Sequence, residues 1–107
     1  MTELCVVMVT CKSAAEARKI GRYLVEQKLV ACANILPKIE SIFFWQGKLS
    51  QEKETLLILK TRKALFSRLT KAVRKLHSYQ VPEIIALPVL AGEKSYLSWV
   101  KKETQKK

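Results

Sequence analysis

Aspartate is absent from this 107-residue chain, and histidine occurs once, as His77. All nine acids are glutamates, which argues against a hard-cation cage of the calcium or magnesium kind. Glycine and proline number three each, while 49% of the residues are hydrophobic, so the chain is globular rather than disordered. No apolar run has the length of a bilayer span, and Met1-Thr2-Glu3-Leu4 lacks the basic region and cleavage site of a signal peptide. The three cysteines, Cys5, Cys11 and Cys32, are odd in number, and their spacing matches no zinc or thioredoxin pattern. A cytoplasmic protein without a membrane partner is expected from these absences. Missing as well are a Gly-x-Ser-x-Gly elbow, a Gly-rich phosphate loop and any group to orient a Cys11–His77 pair, so no enzyme activity is expected.

What is there reads as a single domain over residues 1–107, too short to be divided into two cores. Apolar runs predict strands at Leu4–Val9, at 30–36 with a break or bulge at Pro37 and resumption over 39–45, at Thr55–Thr61 and at 84–90. Ser13-Ala14-Ala15-Glu16 has capping-box spacing and opens a helix with Ala17, Ile20 and Leu24 on its apolar stripe, ending near Lys28. A second helix is predicted from about Leu65 to Leu76, and a short C-terminal one from Ser95 to Lys102. The order βαββαβ plus a terminal helix is the α+β, ferredoxin-like split βαβ with an antiparallel sheet. Leu4–Val9, Leu56–Leu59 and Ile84–Leu87 are apolar at every position, so both faces of that sheet call for burial. One short helix cannot cover the second face, and an obligate oligomer is expected.

Positive charge is in excess: 20 Lys and Arg give a net charge of +11. Seven bases and no acid lie between Lys60 and Lys75, and Lys101, Lys102, Lys106 and Lys107 extend the field. Such a field attracts polyanions nonspecifically, and solvated helix faces account for it equally well. Specific RNA recognition on this topology needs aromatics in the central strands. Leu4–Val9 and Thr55–Thr61 have none, so no specific nucleic-acid partner is expected.

The loop His77-Ser78-Tyr79-Gln80-Val81-Pro82-Glu83 carries the chain's one imidazole at a helix-to-strand break. His77 there can simply serve the last carbonyls of the preceding helix. With Cys11 or Cys32, Tyr79 and Glu83 it also offers borderline and soft ligands suited to copper or zinc. Cys11 precedes a helix start, where the dipole can favour thiolate, and Cys5 and Cys32 sit in apolar runs; all three read first as structural.

Ala31-Cys32-Ala33-Asn34-Ile35-Leu36-Pro37, Trp45-Gln46-Gly47-Lys48, Leu59-Lys60-Thr61, the His77–Val89 block and Tyr96-Leu97-Ser98-Trp99 together resemble the divalent-cation tolerance (CutA) family. The resemblance implies a homotrimer similar in architecture to PII signalling proteins, non-catalytic, binding copper (Cu2+) or other divalent cations. The copper ligands described in bacterial relatives are a Cys at the end of the first strand and two adjacent His. Those positions correspond here to Thr10, with Cys11 one place on, and to Leu76-His77. The expected metal ligands are therefore His77 with Cys11 or Cys32. Trp45, Lys48, Lys60, Tyr79 and Glu83 are candidates to line a cleft between subunits. The alternative is a trimeric signalling or scaffold protein holding a small anionic ligand there, with Lys60 and Arg62 nearby.

Overall fold

The structure, a computed structural model, describes residues 1–105, so Lys106 and Lys107 lie outside the described residues. The chain runs β1 (Leu4–Cys11), α1 (Ala14–Glu26), β2 (Cys32–Trp45), β3 (Lys48–Arg62), α2 (Phe66–Leu76) after one 3-10 turn (Lys63–Leu65), β4 (Ile84–Pro88) and α3 (Lys94–Glu103). The sheet has the order β2-β3-β1-β4, with every neighbouring pair antiparallel. This is the expected βαββαβ arrangement with an added C-terminal helix.

Local chemistry places the boundaries. The Ser13 hydroxyl accepts the Glu16 amide at 3.1 Å and starts α1. The helix ends in a Schellman turn, with Lys28 at φ 57° and the Leu29 amide bonded to the Leu24 carbonyl at 2.9 Å. In β2 the register with β3 shifts between Leu36 and Ile39, where Pro37 has no N–H to give and Lys38 adopts φ 63°. Gln46 and Gly47, at φ 51° and 80°, form the two-residue hairpin turn that suits the twist of its strands.

The expected returning strand at Thr55–Thr61 is the second half of a longer one. β3 begins at Lys48, because pairing with β2 holds the polar stretch from Ser50 to Glu54 extended. The fourth strand stops at Pro88 rather than continuing to Leu90, and the second helix gains regular geometry only at Phe66.

Helices α1 and α2 cover one face of the sheet. Val7, Val9, Leu57 and Leu59 meet Ile20, Leu24, Leu69 and Val73 there, all at 0% exposure. Gly21 permits the close approach, since a Cβ at that position would stand 3.0 Å from the Cβ of Ala33. The other face carries Val6, Met8, Leu56 and Ile58, which are half-buried, and Ile85 and Leu87, which are exposed. Only its Leu4 end is covered, by Val100 of α3. The apolar pattern on both sides of the sheet is real, and one chain satisfies half of it.

Candidate metal centre and adjoining cleft

His77 caps the C-terminus of α2, its amide bonded to the Val73 carbonyl at 2.8 Å. Its ring turns inward across the end of β1. Nδ1 accepts the Tyr79 amide N–H at 3.0 Å, so the proton sits on Nε2, which donates to the Thr10 carbonyl at 2.8 Å. The ring therefore bonds a strand carbonyl rather than the last carbonyls of its own helix, and only 8% of the residue is exposed.

Cys11 is the last residue of β1 and is fully buried on the helix-covered face. Its sulfur, a Glu16 carboxylate oxygen and a His77 ring nitrogen lie within 4.8 Å of one another. Burial pushes the Cys11 thiol up to about 12, and the Glu16 and Glu54 carboxylates add to the rise. Desolvation and two nearby negative charges thus outweigh the dipole of the helix start, in keeping with the structural reading of Cys11. Burial alone would raise the Glu16 carboxyl as well. Hydrogen bonds from Ser78 and the Lys12 amide, with His77 nearby, instead hold it below its usual range.

By its sequence context Glu16 reads only as a helix cap. Its position five residues after Cys11, in the first turn of α1, folds it back over the strand end, and that spacing was the available signal. Cys32 does not join Cys11 and His77. It pairs with Lys60, which pairs with Val6, so it lies on the opposite face of the sheet. There its sulfur is 3.4 Å from Asn34 Oδ1 and 4.0 Å from Lys60 Nζ, and the same ammonium donates to Asn34.

Beside this cluster, a cleft of about 840 Å³ opens between the β2–β3 hairpin and the 78–83 loop. Phe43, Trp45 and Tyr79 form its aromatic walls, and Glu52, Glu54 and Glu83 are its charged residues. The Tyr79 hydroxyl donates to Glu54 Oε2 at 2.6 Å; burial and that bond push the phenol well above its ordinary range. Of the residues expected in a cleft between subunits, Trp45, Tyr79 and Glu83 line this one within the chain. Lys48 pairs with Trp45 at the hairpin tip and Lys60 is on the open sheet face, and neither lines the cleft. Arg62 is bonded to Thr104. The part of the lining that one chain supplies holds no base.

No helix among the described residues is long and apolar enough to cross a membrane. The family described as CutA1 divalent ion tolerance protein matches residues 5–103. "Protein CutA, chloroplastic" of Arabidopsis thaliana is 45% identical over 100 residues, covering 94% of this chain and 55% of that protein. The chain thus spans little more than half the length of several curated relatives, though 96% of the Thermus thermophilus one. Among solved structures, the divalent cation tolerance protein (Cut A1) of Thermus thermophilus superposes with a TM-score of 0.93 at 43% identity, over 95% of this chain and 99% of that one. The periplasmic divalent cation tolerance protein CutA of Archaeoglobus fulgidus gives 0.93 at 37% identity, over 95% and 99%. These relatives overturn the cytoplasmic expectation, since one is periplasmic and another chloroplastic. Three thiols, with Cys5 and Cys11 buried and Cys32 on the opposite face from Cys11, fit an oxidising compartment as well as a reducing one. The match from Cys5 to Glu103, the shared sheet topology and the level of identity lead to one conclusion: the chain belongs to the CutA1 divalent ion tolerance family.

Proposed function

We propose that this protein binds a borderline divalent metal ion, copper foremost, as a non-catalytic member of its cation-tolerance family, with Cys11, Glu16 and His77 as ligands. The observation that carries the reading is the convergence of sulfur, carboxylate and imidazole donors within 4.8 Å, brought from β1, α1 and the end of α2. That donor set suits Cu or Zn better than Mg or Ca. A metal there displaces the Cys11 proton and takes one His77 nitrogen from its present hydrogen bond. Binding therefore releases protons and strengthens as pH rises.

The reading includes a homotrimer similar in architecture to PII proteins, in which neighbouring copies cover the open sheet face. Ile85 and Leu87, 48% and 49% exposed in the single chain, support it, because apolar residues in one contiguous patch mark an interaction surface.

Calorimetric titration of Cu(II), with Zn(II) in parallel, into untagged wild type and His77→Ala under reductant-free anaerobic conditions tests the metal site. Saturable binding that releases protons and vanishes in the variant is expected; binding undiminished by the substitution sinks it. Sedimentation at micromolar concentration tests the trimer, and a monomer there sinks that part.

A further inference from the structure

We propose, as a step that rests on the metal reading above, that ligation at Cys11, Glu16 and His77 releases the backbone of the 78–83 loop at Tyr79. The loop thereby registers whether the buried donors hold an ion.

The loop joins α2 to β4, and its backbone has little of its own to hold it. Among the described residues it makes no backbone–backbone hydrogen bond before the ladder with β1 resumes at Ile84. Side chains hold its first two amides instead. Ser78 N–H donates to Glu16 Oε2 at 2.9 Å, and Tyr79 N–H donates to His77 Nδ1 at 3.0 Å. Both acceptors belong to side chains of the donor group that converges within 4.8 Å. The residues that suit a metal are thus the residues that tether the loop.

The chemistry of imidazole makes the two uses of His77 exclusive. A neutral imidazole ligand gives one ring nitrogen to the ion and carries its proton on the other. If Nδ1 ligates, its lone pair is lost to the Tyr79 amide. If Nε2 ligates, the ring proton moves to Nδ1, and an N–H then faces an N–H. Either way Tyr79 loses its acceptor. Glu16 behaves differently, because a carboxylate has several lone-pair sites and can ligate while keeping the Ser78 amide. The release therefore falls on Tyr79, next to an anchor that stays.

Tyr79 is placed to pass the change on. Its ring lies against the imidazole, with centroids 4.8 Å apart, and its hydroxyl donates to Glu54 Oε2 of β3 at 2.6 Å. Freed at its amide, Tyr79 is tied through its side chain, so β3 and the loop feel the same event. Every one of these bonds lies within one chain, and the coupling needs no exposed surface.

The test is amide hydrogen exchange by NMR on the isotope-labelled full chain, with and without saturating Zn(II), a diamagnetic probe. The ring nitrogens of His77 are followed in the same sample. Zinc should shift the His77 ring resonances and lower the protection of the Tyr79 amide about tenfold, the size of one lost hydrogen bond. A ligand of the folded state otherwise maintains or raises protection. The Leu97 amide, bonded to the Glu93 carbonyl at 3.0 Å in α3, should therefore not fall. His77→Ala should show the lowered protection at Tyr79 with or without zinc. Shifted His77 resonances with unchanged protection at Tyr79 overturn the coupling and leave the metal reading standing. Ring resonances that do not move remove the metal reading, and the coupling with it. An equal fall at Tyr79 and Leu97, or full protection of Tyr79 in His77→Ala, also overturns the coupling.

Discussion

Strands β2 and β3 pass through two environments. Between helices and sheet, Leu57 and Leu59 are at 0% exposure; past the bulge, Ile42, Phe44 and Leu49 are 66%, 74% and 68% exposed. The residue types are alike, so the difference lies in what covers them. At the base, α1 and α2 supply the cover and apolar side chains there hold the fold together. In the hairpin the ladder alone keeps the strands together, and its side chains are free to face a ligand or another molecule.

Substitutions can break that contrast. Leu59→Ala should cost about 2–5 kcal/mol in urea denaturation, while Phe44→Ala should cost less than about 0.5 kcal/mol. A large cost at Phe44 would show the hairpin to be covered in solution and remove the distinction. Next in size, Gly21→Val should destabilise the base by about 1–3 kcal/mol, because the Ala33 Cβ that it meets is fixed to the backbone and cannot yield. Lys28→Gly should stabilise by about 1 kcal/mol in the same measurement, by relieving a side chain held at positive φ. The Lys28–Glu103 pair that it removes, 3.9 Å long and 38% and 40% exposed, contributes little.

The smallest effect concerns α3, whose Glu93 carboxylate caps the Ser95 and Tyr96 amides. Those bonds hold the Glu93 carboxyl below its ordinary 4.5. Its contribution is therefore present above that value and lost as pH falls through the folded pKa. Protection factors of the first-turn amides of α3, taken relative to the intrinsic exchange rate at each pH, should fall on acidification below about pH 4.5, and less so in Glu93→Gln.

The covered half was legible because its signals are local. Ser13 and Glu16 mark a helix start within four residues, and Leu69 and Val73 repeat at one helical turn. The hairpin was half hidden, since Gln51-Glu52-Lys53-Glu54 is polar at every position and carries no strand period. At the site, His77 and Cys11 were readable as donors. Their company was not: the Thr10 carbonyl and Tyr79 amide that hold the imidazole are backbone groups, present in any sequence. Nor could spacing place Cys32 across the sheet from Cys11, which depends on strand register.

The Pro37–Lys38 bulge works as a phase shifter. Before it, Cys32, Asn34 and Leu36 share the open side of the sheet with Lys60, Ile58 and Leu56; after it, Ser41, Phe43 and Trp45 share that side with Glu52, Ser50 and Lys48. The even-numbered residues of β2 face that side first and the odd-numbered ones afterwards. Deleting Pro37 or Lys38 would leave one residue opposite Thr55 and remove the bulge, with Phe43 and Trp45 still opposite Ser50 and Lys48 on the same side. A change of one residue in length at this point is thus taken up as the presence or absence of a bulge, and it alters the bend of the strand while the hairpin keeps its facing side chains.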